Sequence, residues 1–241
     1  MLPYVVTMTA FVTPENLRFA SYNIRKTKGL DGNFDPGRII SVINALDADV
    51  LALQEVDHRL GDRPTALARE LIERETDFQV PAFARNDVSL GWHGNLILVR
   101  KGLELGALHH LELPGLEPRG AIAVDLVLPQ KVRVIGTHLG LTRYHRRQQL
   151  STITNHLEPE TKTILLGDFN EWAAKRGLEP LEDHFDVHSP GRSFHAARPI
   201  AALDRIALSQ GLSLNDGGVM ESEISKRASD HLPIWADIAL K

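Results

Sequence analysis

The chain has 241 residues, 43% hydrophobic and 24% charged, with 18 Gly, 13 Pro and no Cys. Such proportions exclude a disordered chain, a collagen-like repeat and a disulfide scaffold, and the lack of thiols removes cysteine nucleophiles, iron–sulfur clusters and thiolate zinc sites. Lys and Arg number 27 against 31 Asp and Glu, a net charge of -4, so the global basic footprint that holds duplex nucleic acid by its phosphates is missing.

Residues 1–12 are mildly apolar with no Lys or Arg ahead of them, and Pro14, Glu15 and Asn16 stand where a small-residue cleavage site would be needed. A secretory signal is therefore not expected, and 1–16 reads as an N-terminal extension. An apolar run at 17–22 has strand length. Residues 36–46 form a helical pattern, with Pro36 at the start and Ile39, Ile40, Ile43 and Leu46 at helical spacing. A strand at 50–53 precedes a second helical pattern at 65–75, carried by Leu67, Leu71 and Ile72. Strands at 95–99, 121–128 and 132–135 make 96–139 almost entirely extended, with Pro129-Gln130 as a tight turn. A third helix at 144–157 is followed by strands at 163–166 and 232–238. Helices and strands alternate early and strands then follow one another, which favours mixed sheets flanked by helices over a purely parallel doubly wound sheet. No run approaches the roughly 18 apolar residues of a membrane span, and no repeat or linker divides the chain. The expectation is a single domain over 1–241, monomeric and cytoplasmic.

The residues that end these runs are polar. The first run closes on Asn23, the second on Gln54-Glu55, a later one on Thr137-His138 and the next on Gly167-Asp168-Phe169-Asn170, while Ser229-Asp230-His231 leads into the last. Residues two apart lie on the same side of a strand, so Asp168 and Asn170 can face one ligand. Each residue alone has an ordinary explanation: an Asp/Asn turn, a solvated Glu55, an ion pair for Asp204, a core or surface His231, a strand cap for His138. Together, Asn23, Glu55, Asp168, Asn170, Asp204 and Asp230 offer hard oxygen donors suited to Mg²⁺ or Mn²⁺, with His138 and His231 for proton transfer or phosphate stabilisation. That set is the chemistry of phosphoester hydrolysis.

The ordered series Ser21-Tyr22-Asn23-Ile24, Leu53-Gln54-Glu55-Val56, Thr137-His138-Leu139, Gly167-Asp168-Phe169-Asn170, Leu203-Asp204-Arg205-Ile206 and Ser229-Asp230-His231-Leu232-Pro233 resembles the endonuclease/exonuclease/phosphatase superfamily, also called DNase I-like. The resemblance spans nearly the whole chain. It implies a four-layered α/β sandwich, two mixed and largely antiparallel β-sheets flanked by helices, with the site at one edge where the loops of the two sheets meet. It further implies that Glu55 ligates the divalent metal with Asn23 beside it and Asp230 completing that side. Asp168 would then activate water, Asn170 donate to the phosphoryl oxygen, and Asp204 orient a His231 that stabilises the transition state. His138 would serve as general acid or phosphate donor. Softer matches are Gly94-Asn95 and Arg119-Gly120-Ala121 at strand starts, and Arg146-Arg147-Gln148 in a helix, which nominate Asn95 and Arg146 as substrate contacts. The connection from Asn170 to Asp204 lacks basic and aromatic insertions of the kind that bend or penetrate DNA, and Gly-Asp-Phe-Asn-Glu-Trp looks more like the phosphatase and phospholipase-like bacterial branch. The expected activity is thus a Mg²⁺- or Mn²⁺-dependent phosphodiesterase acting on a small or lipid-like phosphoester. A nuclease is the second reading, and a catalytically silent binding module on the same fold the third.

Overall fold

The computed structural model describes residues 16–240, so the expected N-terminal extension lies, except for Asn16, outside the described residues. In chain order the elements are β1 (Asn16–Asn23), α1 (Pro36–Leu46), β2 (Val50–Gln54), α2 (Arg69–Glu75), β3 (Phe78–Gln79), β4 (Leu96–Arg100), β5 (Leu105–Leu113) and β6 (Arg119–Leu126). These are followed by β7 (Val132–His138), α3 (Arg143–Thr154), β8 (Lys162–Asp168), β9 (Phe185–His188), β10 (Asp204–Ser209), β11 (Ser213–Val219), α4 (Ser225–Ala228) and β12 (Ile234–Ala239). The strands form two six-stranded sheets, ordered β11-β12-β1-β2-β4-β3 and β5-β6-β7-β8-β10-β9. Both are mixed and mostly antiparallel, and with their flanking helices they make the expected α/β sandwich.

Side-chain alternation shows how the layers are held. On the second sheet Ile122, Val124, Ile164, Leu166, Ile206 and Leu208 join the core shared with the first sheet, while Ala121, Ala123, Leu165 and Ala207 pack on the other face with Leu150 and Ile153 of α3. A strand buried on both faces is apolar along most of its length, which is why these segments read as short runs, with polar residues such as Arg119, Arg133, His138 and Asp168 confined towards their ends.

Helix α1 begins where Asp35 accepts a hydrogen bond from the Arg38 amide (2.9 Å) just ahead of Pro36. The second helix starts later than its apolar spacing suggests. Backbone bonds Thr65 N–H to Val88 O and Ala66 N–H to Val56 O hold the segment extended, and the Thr65 hydroxyl accepts from the Leu67 amide (3.1 Å). Leu67 is buried from a turn rather than from a helix.

The topology positions the polar strand ends. Each sheet contains one parallel pair joined by a helix: β1–α1–β2 in the first and β7–α3–β8 in the second. Parallel neighbours finish at the same edge, so Asn23 lies beside Gln54, and His138 beside Asp168. Strand β10 runs antiparallel to β8 and begins at that edge, with Asp204 opposite Asp168. The approach of β8 to β7 requires a glycine: Gly167 has φ 148°, and a Cβ there would lie 1.9 Å from the Thr137 carbonyl oxygen.

Candidate active site

Asp168 stands at the centre. It is buried, its Oδ2 accepts from Asn23 Nδ2 of the opposite sheet (3.1 Å), and its Oδ1 accepts from the Asn170 amide (2.9 Å). His138 Nε2 lies 3.3 Å and His231 Nε2 3.7 Å from Asp168 Oδ2. Behind His231, Asp204 Oδ2 is 2.9 Å from Nδ1 and also accepts from the Ser193 hydroxyl at 2.5 Å. Asp168, Asp204 and His231 are close enough to suggest a metal cage. The imidazole, however, is held by Asp204 through Nδ1 at 2.9 Å, with Asp168 Oδ2 3.7 Å from Nε2, so the cluster reads as an imidazole set between two neighbouring carboxylates. Asn170 has left-handed backbone at φ 52°, and its side-chain amide donates to Leu139 O (2.9 Å). Non-glycine residues in that region are sparsely populated and cluster at functional sites.

The two histidines are driven in opposite directions. Burial disfavours a charge on His231, but the Asp204 and Asp168 carboxylates outweigh it and push the imidazole up to about 10. At His138 burial dominates, and Asp168 does not overcome it against nearby Arg119, so this ring falls to about 3. Near neutral pH the site therefore holds one imidazolium and one neutral imidazole.

Glu55 follows β2 with φ 58°, again left-handed. Its carboxylate pairs with Lys26 and with Arg59 (3.2 Å). Burial works against the ionised form, yet these cations hold Glu55 below the usual carboxylate range. Asp230 is ion-paired to Arg25 (3.3 Å), and the neighbouring Ser229 hydroxyl donates to the Asn23 carbonyl oxygen at 2.7 Å. The Glu55 carboxylate, the Asn23 amide oxygen and Asp230 are hard oxygen donors of the kind a divalent ion takes, and such an ion would replace the Lys26 ammonium as the partner of Glu55.

Two expected substrate contacts are placed otherwise. Asn95 is buried, its Nδ2 donates to Gly120 O (3.0 Å) and Trp92 O (3.4 Å), and the side chain bridges β4 to β6. The amide donors that a phosphate would require are thereby used. Arg146 is also buried, and its guanidinium donates to Glu171 (2.6 Å) and to Leu141 O (2.6 Å). Arg143 pairs with the same Glu171 (2.6 Å) and Arg147 with Glu179 (3.6 Å), so each arginine of the basic stretch that opens α3 already faces a carboxylate, two of them sharing Glu171.

Glu171 thereby fastens the loop carrying Asn170 to α3. Burial opposes its charge, but the two arginines bring it down to about 2. A depressed carboxyl contributes stability that is complete above its unfolded value of about 4.3 and is lost as pH falls through about 2. Glu171→Gln should destabilise the protein by about 3–5 kcal/mol, because it strands buried Arg146 without its counter-charge. Urea titration of both forms at neutral pH checks this, and a loss below about 1 kcal/mol, the range of an exposed pair, would contradict it.

Sequence reasoning missed Ser193, which gives no signal in its loop, and also Lys26 and Arg59, which follow the two metal-side motifs by a few residues. Beside Glu55 and His138 a cleft of about 230 Å³ opens, with Arg59, Arg63 and Arg119 in its wall.

The fold and this convergence of carboxylates, amides and imidazoles at one sheet edge define a phosphoester hydrolase of the sandwich type. The chain belongs to the endonuclease/exonuclease/phosphatase family, whose family model matches residues 20–231. It is 28% identical over 220 residues to the uncharacterized protein YbhP of Escherichia coli K12, covering 82% of this chain and 86% of that one. A functionally unknown conserved protein from Enterococcus faecalis superposes with a TM-score of 0.76 at 20% identity, over 92% of this chain and 99% of its own. A mannosyl-6-phosphatase from Bacteroides thetaiotaomicron superposes with a TM-score of 0.72 at 15% identity, over 92% of this chain and 99% of its own.

Proposed function

We propose that the protein is a divalent-metal-dependent phosphoesterase, a phosphodiesterase acting on a small or lipid-like phosphoester. The observation that supports this best is the buried cluster of Asp204, His231 and Asp168, which sets a carboxylate 3.7 Å from an imidazole that a second carboxylate holds. Asp168, held through both oxygens by Asn23 and the Asn170 amide, is placed to take the proton of an attacking water. His231 donates Nδ1–H to Asp204, and its Nε2, 3.7 Å from Asp168 and outside hydrogen-bond distance of it, serves a phosphoryl oxygen, where the ring's charge offsets the negative charge developing there. His138, neutral, adds a hydrogen bond; its low value argues against service as an imidazolium acid near neutrality. Glu55 would hold Mg²⁺ or Mn²⁺ with Asn23, and Asp230 would lie on that side. Such an ion, when bound, supplies Lewis-acid polarisation of the phosphoryl group.

A panel of phosphodiesters and monoesters, assayed with Mg²⁺, with Mn²⁺ and with chelator, tests this reading. Diester turnover that chelator abolishes and either metal restores is expected. Chelator-resistant turnover would remove the metal from the mechanism.

Nucleic acid is not favoured, and the internal pairing of Arg143, Arg146 and Arg147 supports that view. A protein contacting six or more phosphates loses about three orders of magnitude in affinity between about 50 and 200 mM salt. Duplex DNA should bind weakly and with a much shallower slope. Tight, steeply salt-dependent binding together with strand incision would promote the nuclease reading. No helix among the described residues is long and apolar enough to cross a membrane.

A further inference from the structure

The cleft beside the reaction centre carries a positive charge that the catalytic chemistry does not use. Glu55 and His138 form part of its wall, so a substrate with its scissile phosphate at Asp168 and His231 extends one arm into it. The carboxylates there are already engaged. Asp57 is buried and accepts the amides of Leu90 (2.8 Å) and Gly91 (3.1 Å), and Glu117 pairs with Arg119 (2.7 Å).

Arg63 is different. Its Nη1 lies 2.6 Å from Nδ1 of His93, and no carboxylate among the described residues lies within ion-pair distance of it, although its charge acts on the buried Asp57 carboxylate behind the wall. A guanidinium can only donate, so His93 Nδ1 is the acceptor and the ring proton sits on Nε2, which faces Glu112 Oε2 at 3.3 Å. Burial and the nearby Arg63 and Arg85 charges hold His93 below its ordinary value, although Glu112 pulls the other way. A neutral ring orients Arg63 without cancelling its charge. Arg119, also in the wall, is buried, and its Nε has no partner.

The Arg63 loop is fixed. Ser89 Oγ donates to Arg63 O (2.7 Å), Asn86 Nδ2 to Asp62 O (3.2 Å), and the His58 amide to Pro64 O (2.9 Å). Arg63 and His93 both have left-handed backbone, at φ 55° and 49°. Such conformations persist only where the surroundings impose them. The cation is thus presented to the cleft in advance.

Resting on the phosphoesterase reading, we propose that the substrate carries a second anionic group, a phosphate or a carboxylate, on the arm that enters this cleft, and that Arg63 is the residue that selects for it. Forked N–H donors match either oxyanion. A neutral or cationic arm would leave the guanidinium uncompensated in a partly enclosed space.

The probes are alkyl phosphates of two to four carbons with the far end bearing hydrogen, phosphate or carboxylate, titrated calorimetrically onto the Mg²⁺-loaded protein. At one chain length or more, a far-end anion should tighten binding about tenfold or better over the plain alkyl phosphate. The phosphate and carboxylate arms show which oxyanion is preferred. Arg63→Gln and Arg63→Met, each checked for an unchanged melting profile, should bring the ratio down to about threefold or less, while Arg63→Lys should retain part of it. Because the ratio is taken within each protein, a general loss of affinity cancels. Equal binding of all three ends by the unaltered protein, or a preference that survives both neutral variants, overturns the proposal. Turnover of bis(p-nitrophenyl) phosphate is measured separately. Its absence alongside an intact binding preference would count against the phosphoesterase reading and leave the anion subsite standing.

Discussion

His231→Ala and Asp204→Asn should each lower kcat/KM for a phosphodiester by about 10²- to 10⁴-fold, the range of a positioned proton donor or charge-stabilising group. The double variant should be hardly worse than His231→Ala alone. Asp204 Oδ2 touches the imidazole at 2.9 Å, and its role runs through that ring, so the two losses belong to one unit and do not add. Fully multiplicative losses would mean separate roles. The pH dependence offers an independent check. Deprotonation of His231 should not limit the rate until near pH 10, and Asp204→Asn should bring the alkaline limb down towards neutrality. The sign for stability is fixed by the same shift: a histidine raised in the folded state stabilises fully below its unfolded value of about 6.5, and that contribution disappears as pH rises through about 10. Imidazole nitrogen NMR on the free enzyme reads this value directly. A His231 titrating near its ordinary pH would refute the pairing.

Glu55→Gln should weaken Mg²⁺ binding by about 100-fold or more and reduce turnover in proportion at limiting metal, with the fold intact. The substitution keeps the shape and removes the charge that Lys26 and Arg59 now match. Calorimetric titration of Mg²⁺ into both proteins checks the affinity, and thermal unfolding without metal checks the fold. An unchanged metal affinity would move the ion away from Glu55.

Much of the sandwich was legible because its central strands are buried on both faces, so each carries an apolar run such as 164–166 of β8. The edge strands β3, β9 and β11 were not. β11 contains Asn215, Asp216, Gly217 and Gly218 and is only partly buried; it is a strand because it pairs with β12, a non-local fact. The polar strand ends could be found because each closes an apolar run, and parallel pairing within both sheets then carries them to one edge. Charge was harder to judge. The basic residues at the start of α3 offered Arg146 as a substrate contact, but Glu171, distant in sequence, pairs with both Arg143 and Arg146. Arg63 and His93 have no motif, and their contact depends on the packing of two loops.

The hydrogen bond from Asn23 to Asp168 joins side chains 145 positions apart, one from each sheet. Half of the reaction centre is therefore supplied by each side of the sandwich, and the bond works as a clasp across the seam between them. Any sliding or parting of the sheets separates Asn23, Glu55 and His231, which leads into β12, from His138, Asp168 and Asp204 of the second sheet. Catalytic competence then reports on the alignment of the two halves. In a denaturant titration turnover should disappear no later than the first loss of tertiary signal.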